Sequence, residues 1–298
     1  MRILLLGANG QVGHELRRSL SRMGKVIAST RTGVLEGGVE CELADLARPD
    51  SLPTVIDRIA PDVVVNAAAY TAVDRAEDEP MTAFHVNAEA PGRLAEACVA
   101  RDAVLVHYST DYVFNGGATR PYREDDATDP LGVYGASKLA GEKAIRDSGC
   151  RHMIFRTAWV YGNHGNNFMR TMLRLAAERE QLRVVADQVG TPTTACLIAD
   201  VTAKALESGI DRSGLWHLTA AGETNWHVFA REILLQASAR GLLAKLPEVV
   251  PITTAEYPTR ARRPAYSCLD TSRLQLDFGV ELPDWQQALA EVLDSAGP

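Results

Sequence analysis

Several residue patterns are missing from this 298-residue chain, and each absence excludes a class of protein. The five cysteines, at positions 41, 98, 150, 196 and 268, show no CxxC or zinc-type spacing. They therefore predict free thiols rather than a disulfide framework or a zinc site. The seven histidines show no HExxH or other paired spacing, so we interpret them as structural or surface residues and expect no metal ligands.

Basic residues are also in deficit, with 31 Lys and Arg against 38 Asp and Glu and a formal net charge of -7. This balance argues against nucleic-acid binding, which depends on neutralising phosphates. No apolar stretch reaches membrane-spanning length, and the apolar run that starts at residue 2 leaves no room for a signal peptide. We therefore expect a cytoplasmic protein without membrane contact, and 46% hydrophobic residues provide a core for one large domain or two unequal lobes.

What the chain does contain is a glycine motif near its start, Gly7-Ala8-Asn9-Gly10-Gln11-Val12-Gly13. It follows the apolar run 2–6 and precedes a helical pattern at 15–23, the order that a dinucleotide fingerprint requires. Gly7 would permit a tight turn, Gly10 a close approach of the backbone to a pyrophosphate, and Gly13 close packing of helix on strand. The free N–H groups of the helix would then face the phosphates.

Strand and helix patterns alternate through the first half, which predicts an α/β fold with a doubly wound, Rossmann-type parallel sheet. We expect strands at 2–6, 25–29, 39–42, 62–66, 103–109 and 152–155, and a long helix at about 80–101. In the second half we expect helices at 167–179, 198–207, 226–239 and 285–293, and a strand at 215–218. The prediction is a cofactor domain at 1–157, rejoined by about 190–218, and a smaller α/β substrate lobe at 158–189 and 219–298.

A second motif, Tyr134-Gly135-Ala136-Ser137-Lys138, places a phenol and an ammonium on one face of a predicted helix. A nearby cation favours the phenolate and would lower the pKa of Tyr134, which makes the phenol a usable acid or base. A surface lysine beside a half-buried tyrosine is the alternative. The upstream glycine motif favours the catalytic interpretation.

These motifs together resemble those of the extended short-chain dehydrogenase/reductase family. The resemblance covers nearly the whole chain, and its more specific strings are Ala72-Val73-Asp74, Ser109-Thr110-Asp111-Tyr112-Val113-Phe114, Lys138-Leu139-Ala140-Gly141-Glu142, Phe155-Arg156-Thr157, Trp159-Val160-Tyr161, Gly165-Asn166-Asn167-Phe168 and Arg263-Pro264. It implies NADPH-dependent reduction of dTDP-4-dehydro-β-L-rhamnose at C4. The alternatives are another sugar-nucleotide reductase or epimerase, or a non-catalytic NADP-binding regulatory subunit. A homodimer is also expected.

The resemblance assigns catalytic roles to three residues. Tyr134 would protonate the sugar O4, Lys138 would lower the Tyr134 pKa and hold the nicotinamide ribose, and the Thr110 hydroxyl would bind the ketone oxygen. For Thr110 the alternative is an ordinary hydroxyl at a strand end. Cofactor contacts are expected from Gly7, Asn9, Gly10, Gln11, Val12, Gly13, Thr30, Arg31, Asp45, Leu46, Ala67, Ala69, Tyr70, Thr71, Tyr134 and Lys138.

Substrate contacts are expected from Thr110, Asp111, Tyr112, Trp159, Asn167 and Arg263. The last two would bind the substrate pyrophosphate, because an arginine side chain matches phosphate with two donors. Core packing is the alternative for Trp159, a helix cap for Asn167 and a solvated charge for Arg263.

The end of the second strand predicts cofactor choice. NAD-selective sites carry an acid there, whereas this chain has Thr30 and Arg31, and an arginine can pair with a 2′-phosphate. We therefore expect NADPH to be preferred, with NADH still usable; the alternative is that Arg31 points to solvent. The family resemblance also implies a magnesium ion, for which Glu15 is a candidate ligand. Cys196 stands where a second acid would be expected, so no metal site is predicted.

Overall fold

A computed structural model describes residues 1–295. The strands in this range are β1 (Arg2–Leu6), β2 (Lys25–Thr30), β3 (Glu42–Leu43), β4 (Val63–Asn66), β5 (Val104–Thr110), β6 (His152–Thr157), β7 (Val160–Tyr161), β8 (Gln181–Val185), β9 (Val189–Gly190), β10 (Thr193–Thr194), β11 (Gly214–His217), β12 (Thr224–Asn225) and β13 (Glu248–Ile252). The α-helices are α1 (Gln11–Leu20), α2 (Leu52–Ile59), α3 (Val73–Ala76), α4 (Pro80–Phe84), α5 (Ala90–Arg101), α6 (Val133–Asp147), α7 (Phe168–Glu178), α8 (Ala195–Gly209), α9 (Trp226–Ala239), α10 (Ser272–Phe278) and α11 (Trp285–Ser295).

Seven parallel strands form the central sheet, in the order β11-β6-β5-β4-β1-β2-β3. The order reverses direction between β1 and β4, as in a doubly wound Rossmann sheet, and confirms the predicted fold class. Leu4 pairs with Ile27 on one side and with Val64 on the other. Every residue of β4 and β5 is buried, because helices cover both faces of the sheet.

Two apolar layers enclose this sheet. On one face, side chains of α1, α8 and α10 pack against β1, β5 and β6. On the other face, α2, α5 and α6 supply the apolar side chains. A third core joins α7, α9, α11 and β8 around Phe229 and Trp285. Among residues 1–295, no helix is long and apolar enough to cross a bilayer.

The helix expected at 80–101 is interrupted. A π-helical turn spans His85–Glu89 between α4 and α5. Pro91 explains the break, because it has no N–H to donate to the carbonyl of Asn87 four residues earlier. Helix α6 packs directly against this carbonyl, since a Cβ at Gly141 would lie 2.1 Å from the Asn87 carbonyl oxygen. Only glycine allows the two segments to approach this closely.

Other elements differ from the prediction. The third strand lies at Glu42–Leu43 rather than at 39–42, because Gly37 and Gly38 turn the chain with positive φ and leave Val39 60% exposed. Helices α2 and α10 and the parallel pair β8–β13 were not predicted. The predicted helix at 226–239 has the bounds of α9, and the Tyr134 helix is α6.

Candidate active site

The glycine motif forms a tight turn between β1 and α1. Gly7 has a φ of +77°, and a Cβ there would lie 2.8 Å from the Ala68 nitrogen. A Cβ at Gly13 would lie 2.0 Å from the Gly7 carbonyl oxygen, so α1 can cross the strand end only with glycine at this position. Within the described chain, no side chain caps the N-terminus of α1 at Gly10. The first N–H groups of the helix are therefore available to an anion, which fits a dinucleotide pyrophosphate.

Two side chains expected at the pyrophosphate brace the turn instead. The Asn9 amide donates to the Val34 carbonyl at 3.0 Å and accepts from the Glu36 N–H at 3.2 Å. The Gln11 side chain accepts from the Asn167 amide at 2.9 Å. Val12 is half-buried against the core of the sheet. The backbone of the motif, rather than these side chains, is what the turn offers to a phosphate.

The tip of β2 is neutral or basic. The Thr30 hydroxyl donates to the Val34 carbonyl and accepts from the Val34 N–H, both at 3.1 Å. Arg31 is exposed, and it forms no ion pair within residues 1–295. Asp45 is half-buried and accepts from the Ala47 N–H at 3.0 Å, and Leu46 is buried beside it. The absence of a carboxylate at the strand tip fits a 2′-phosphorylated cofactor better than an unphosphorylated one.

The segment after β4 lies beside the glycine turn at the same edge of the sheet. It contains Ala67, Ala69, Tyr70 and Thr71. The Asn87 amide holds the Tyr70 backbone from both sides, accepting from its N–H at 2.8 Å and donating to its carbonyl at 3.0 Å. Asn87 also donates to the Ser137 hydroxyl at 3.0 Å. The π-helical turn thereby links this segment to α6.

Thr110 and Tyr134 meet where β5 ends. Burial raises the pKa of the Tyr134 phenol to about 12; the neighbouring Thr110 hydroxyl opposes this shift and the Asp111 carboxylate adds to it. The Thr110 hydroxyl also donates to Asp111 at 3.0 Å and accepts from the Tyr112 N–H at 3.2 Å. The Tyr112 ring stands edge-on to Tyr134, with ring centres 5.8 Å apart. Tyr134 is therefore a neutral proton donor at physiological pH.

The Lys138 ammonium is held by β5 rather than by Tyr134, and its expected effect on the Tyr134 pKa stays a prediction. Its side chain is 2% exposed, and its ammonium donates to the Tyr108 carbonyl at 2.5 Å and lies 3.2 Å from His107 Nε2. Burial lowers the pKa of Lys138 to about 8, with Glu142 opposing the shift. The i, i+4 spacing places both side chains on one helix face, but the carbonyl at β5 holds the ammonium.

Asp111 is a buried carboxylate at this edge of the sheet. It is 2% exposed, and burial raises its pKa to about 6. One carboxylate oxygen accepts from Thr110, while the other has no hydrogen-bond partner within the described residues. A buried acceptor without a partner next to the phenol fits a ligand hydroxyl group.

A cavity of about 390 Å³ lies between α7, β8 and the chain at 257–263. Its wall combines aromatic and cationic side chains: Phe168, Trp226, Tyr257, Arg179, Arg183 and Arg263. Arg263 grips Asp74 with two hydrogen bonds, at 3.1 and 2.8 Å, and its side chain is 21% exposed, so it is not a fully solvated charge. The other five residues were not predicted. The segment 247–264, which is rich in proline and arginine, contributes Tyr257 and Arg263.

Trp159 and Asn167 make packing and capping contacts in this structure, and their substrate contacts stay predictions. The Trp159 ring stacks on Trp226 at 3.6 Å and leaves no room for a Cβ at Gly190. Asn167 caps α7 by accepting from the Arg170 N–H, and its amide donates to the Gly162 carbonyl at 2.7 Å. Both residues therefore shape the wall between the cavity and the glycine turn.

Two histidines that looked unrelated in sequence are stacked. The rings of His14 and His164 lie 3.5 Å apart at 25°, and Glu36 is close enough to complete a three-ligand group. Burial lowers the pKa of His14, with His164 adding to the shift. Near-parallel rings direct their in-plane lone pairs side by side, so they do not converge on one metal ion in this conformation.

The residues considered for magnesium do not fit it either. Arg18 forms ion pairs with Glu15 at 3.5 Å and with Asp200 at 3.0 Å. Cys196 accepts from Arg18 at 3.1 Å, and burial raises its pKa to about 11, so it remains a thiol. Magnesium requires oxygen ligands without a competing cation.

The parallel sheet, the glycine turn and the hydroxyl pair above β5 define a dinucleotide-binding oxidoreductase of the extended short-chain dehydrogenase/reductase type. More narrowly, the chain belongs to the RmlD substrate binding domain family, whose model matches residues 1–297.

Known relatives agree with this placement. A dTDP-4-dehydrorhamnose reductase of Burkholderia thailandensis is 49% identical over 300 residues, covering 97% of each chain. The crystal structure of a dTDP-4-dehydrorhamnose reductase from Clostridium acetobutylicum matches with a TM-score of 0.90 and 36% identity over 99% of each chain. A dTDP-4-dehydrorhamnose reductase from Bacillus anthracis, solved in complex with NADP, matches with a TM-score of 0.89 and 32% identity, also over 99% of each chain. The family resemblance is thus confirmed.

Proposed function

We propose that this chain reduces the C4 ketone of dTDP-4-dehydro-β-L-rhamnose with NADPH and forms dTDP-L-rhamnose. The main support for this proposal is the position of the Thr110 and Tyr134 hydroxyls at the carboxyl edge of the parallel sheet. The glycine turn lies at the same edge. Relatives with 49% and 36% identity over nearly the whole chain bear the name of this enzyme. The product is the activated rhamnose that cell-surface polysaccharides such as O-antigen require.

The chemistry needs an acid that is protonated before the reaction. When bound, NADPH supplies a hydride to C4. Tyr134, with its pKa raised to about 12, keeps its proton at neutral pH and transfers it to O4 as the oxygen gains negative charge. The single hydroxyl hydrogen of Thr110, directed at Asp111 in the structure, would turn to the same oxygen when the substrate binds and so stabilise the developing charge. The Lys138 ammonium, one turn along α6 from Tyr134, would favour the phenolate that remains.

The remaining parts of the chain position the two substrates. The glycine turn would hold the pyrophosphate of the cofactor, and Arg31 would pair with its 2′-phosphate. The cavity at α7 takes the dTDP group, with aromatic side chains against the base and arginines against the phosphates. Asp111 accepts a hydrogen bond from a sugar hydroxyl. The five cysteines are free thiols in the structure, which supports a cytoplasmic location.

The test is a direct assay of the purified full-length protein. NADPH is mixed with dTDP-4-dehydro-β-L-rhamnose, and the absorbance of reduced nicotinamide and the sugar product are followed together. We expect one dTDP-L-rhamnose per NADPH consumed. Absence of sugar-dependent oxidation contradicts the proposal. Interconversion of sugar nucleotides without net oxidation identifies an epimerase, and tight NADPH binding with no turnover identifies a regulatory subunit.

A further inference from the structure

Three buried polar side chains form a line beneath the active site. Asn66 ends β4, His107 lies opposite it on β5, and Lys138 reaches down from α6. They are 1%, 0% and 2% exposed. Only Lys138 has a part in the proposed reaction. The other two are held so deep in the sheet that each hydrogen-bonding atom must be satisfied by its neighbour.

The orientation of Asn66 fixes the tautomer of His107. The Asn66 Oδ1 accepts from the Ala68 N–H at 3.2 Å, so Nδ2 is the atom that faces His107 Nδ1 at 3.1 Å. Because an amide nitrogen only donates, Nδ1 must accept. Burial, reinforced by Lys138, holds the pKa of His107 well below its usual range, so the ring is neutral. A neutral ring that accepts at Nδ1 carries its hydrogen on Nε2.

That hydrogen points at Lys138. The distance from Nε2 to Nζ is 3.2 Å, and an ammonium group has three donors and no acceptor. The contact is therefore a hydrogen bond only when Lys138 is a neutral amine, whose lone pair accepts from Nε2–H. When Lys138 is charged, two donors face each other. The Tyr108 carbonyl, at 2.5 Å, accepts from Lys138 in either state and holds the nitrogen in place.

The other groups near Lys138 do not cancel the preference for a neutral amine that His107 imposes. Glu142, one turn along α6, favours the ammonium, but Arg156 from β6 already binds both of its carboxylate oxygens, at 2.9 and 2.7 Å. Tyr134, on the same face of α6, is neutral at physiological pH. From β5, His107 and the Tyr108 carbonyl face the amine. His107 is thus the one neighbour of these whose orientation favours loss of the proton.

We propose that His107, held in one tautomer by Asn66, is a positioning residue that controls when Lys138 carries its proton and so sets the alkaline limit of reduction. The statement about the limit rests on the function proposed above, in which the ammonium assists Tyr134. The statement about the tautomer and the lysine proton does not depend on turnover.

The first experiment uses the full chain without substrate. Histidine labelled with ¹⁵N reports which ring nitrogen of His107 carries hydrogen, and a His107→Gln spectrum identifies the signal among seven histidines. We expect the Nε2–H tautomer in the wild type. In Asn66→Leu, which removes the donor to Nδ1 without adding charge, we expect a shift to the Nδ1–H tautomer. An Nδ1–H ring in the wild type overturns the proposal.

The second experiment titrates Lys138 by ¹³C NMR of labelled lysine, which is practical because the chain has only five lysines. Asn66→Leu lets Nε2 accept from the ammonium, and His107→Gln presents a carbonyl oxygen to it. We expect both variants to raise the titration midpoint by about one pH unit, the size of one charge-assisted hydrogen bond. His217→Gln is the matched control, since His217 is also fully buried but bonds to the Tyr122 carbonyl. Equal midpoints in all four proteins overturn the proposal.

The pH profile of kcat/KM links the network to reduction. In Asn66→Leu and His107→Gln, the alkaline limb of this profile should move to higher pH by the same amount as the NMR midpoint. In His217→Gln it should not move. A midpoint that moves while the limb does not would overturn the role of His107 in setting the limit. Loss of stability alone lowers the rate at every pH and does not move the limb.

Discussion

Replacement of Asp111 by Asn tests two effects of this buried carboxylate: its effect on the stability of the fold and its proposed hydrogen bond to the substrate. Asp111 is 2% exposed, and burial raises its pKa from 3.8 to about 6. The folded protein therefore binds this proton more tightly than the unfolded chain does. Its stability falls as the pH rises through the range between those two values, and the loss is complete above about pH 6. At 1.36 kcal/mol per pH unit the shift corresponds to about 3 kcal/mol.

Asparagine keeps the oxygen that accepts from Thr110 but cannot ionise. Relative to the wild type, the variant should therefore gain about 2 kcal/mol of stability between about pH 4 and about pH 7.5, because part of the loss in the wild type has already occurred at pH 4. Any constant effect of the new amide cancels in this comparison. The assay is the thermal midpoint of both proteins across that range at fixed ionic strength. A difference in stability that is independent of pH, or that shrinks as the pH rises, would refute the reasoning.

The same variant should lose activity. The free carboxylate oxygen is the proposed acceptor for a sugar hydroxyl, and one hydrogen bond to a charged group corresponds to about 10- to 100-fold in kcat/KM. A protein that becomes more stable at neutral pH and less active shows that the destabilising charge serves the reaction. Unchanged kcat/KM would remove Asp111 from the substrate contacts.

Three further substitutions test the cofactor site and the acid. Tyr134→Phe should lower kcat by about 100- to 10,000-fold and leave the Kd for NADPH unchanged, since only the proton donor is lost; near-native turnover excludes Tyr134 as the acid. Arg31→Ala should reduce the preference for NADPH over NADH by about tenfold or more, measured as the ratio of the two kcat/KM values, and an unchanged ratio places Arg31 away from the 2′-phosphate. Gly13→Ala should lower both the thermal midpoint and NADPH affinity, because its Cβ would lie 2.0 Å from the Gly7 oxygen; calorimetry with native-like values for both would contradict this packing argument.

The sheet was predictable because its signals are local. The β4 residues Val63, Val64 and Val65 are apolar without interruption, as a strand buried on both faces requires, and the glycine motif carries its constraint in consecutive residues. The sequence prediction placed the third strand at 39–42 and not at Glu42–Leu43. The reason is also local, because two glycines with positive φ leave Val39 exposed in a turn. The π-helical turn also had a local signal, because Pro91 and Gly92 stand inside the segment that was predicted as one helix.

The parts of the site that sequence did not predict depend on contacts between distant residues. Arg263 meets Asp74 across 189 positions, and Tyr257 and Trp226 reach one cavity from separate elements. His107 reads as one more residue in an apolar strand; only the register of β4 and β5 places it against Asn66. Likewise the spacing of Tyr134 and Lys138 gives a shared helix face, whereas the position of the ammonium is set by the carbonyl of Tyr108 on β5.

The fate of the transferred hydrogen tests the central claim most directly. NADPH that carries deuterium at the transferred position is incubated with dTDP-4-dehydro-β-L-rhamnose and the wild-type protein, with Tyr134→Phe in parallel. We predict one deuterium at C4 of dTDP-L-rhamnose for each NADPH oxidised, and little label with the variant in the same time. Label at another carbon, or a sugar product formed without consumption of NADPH, would contradict the account.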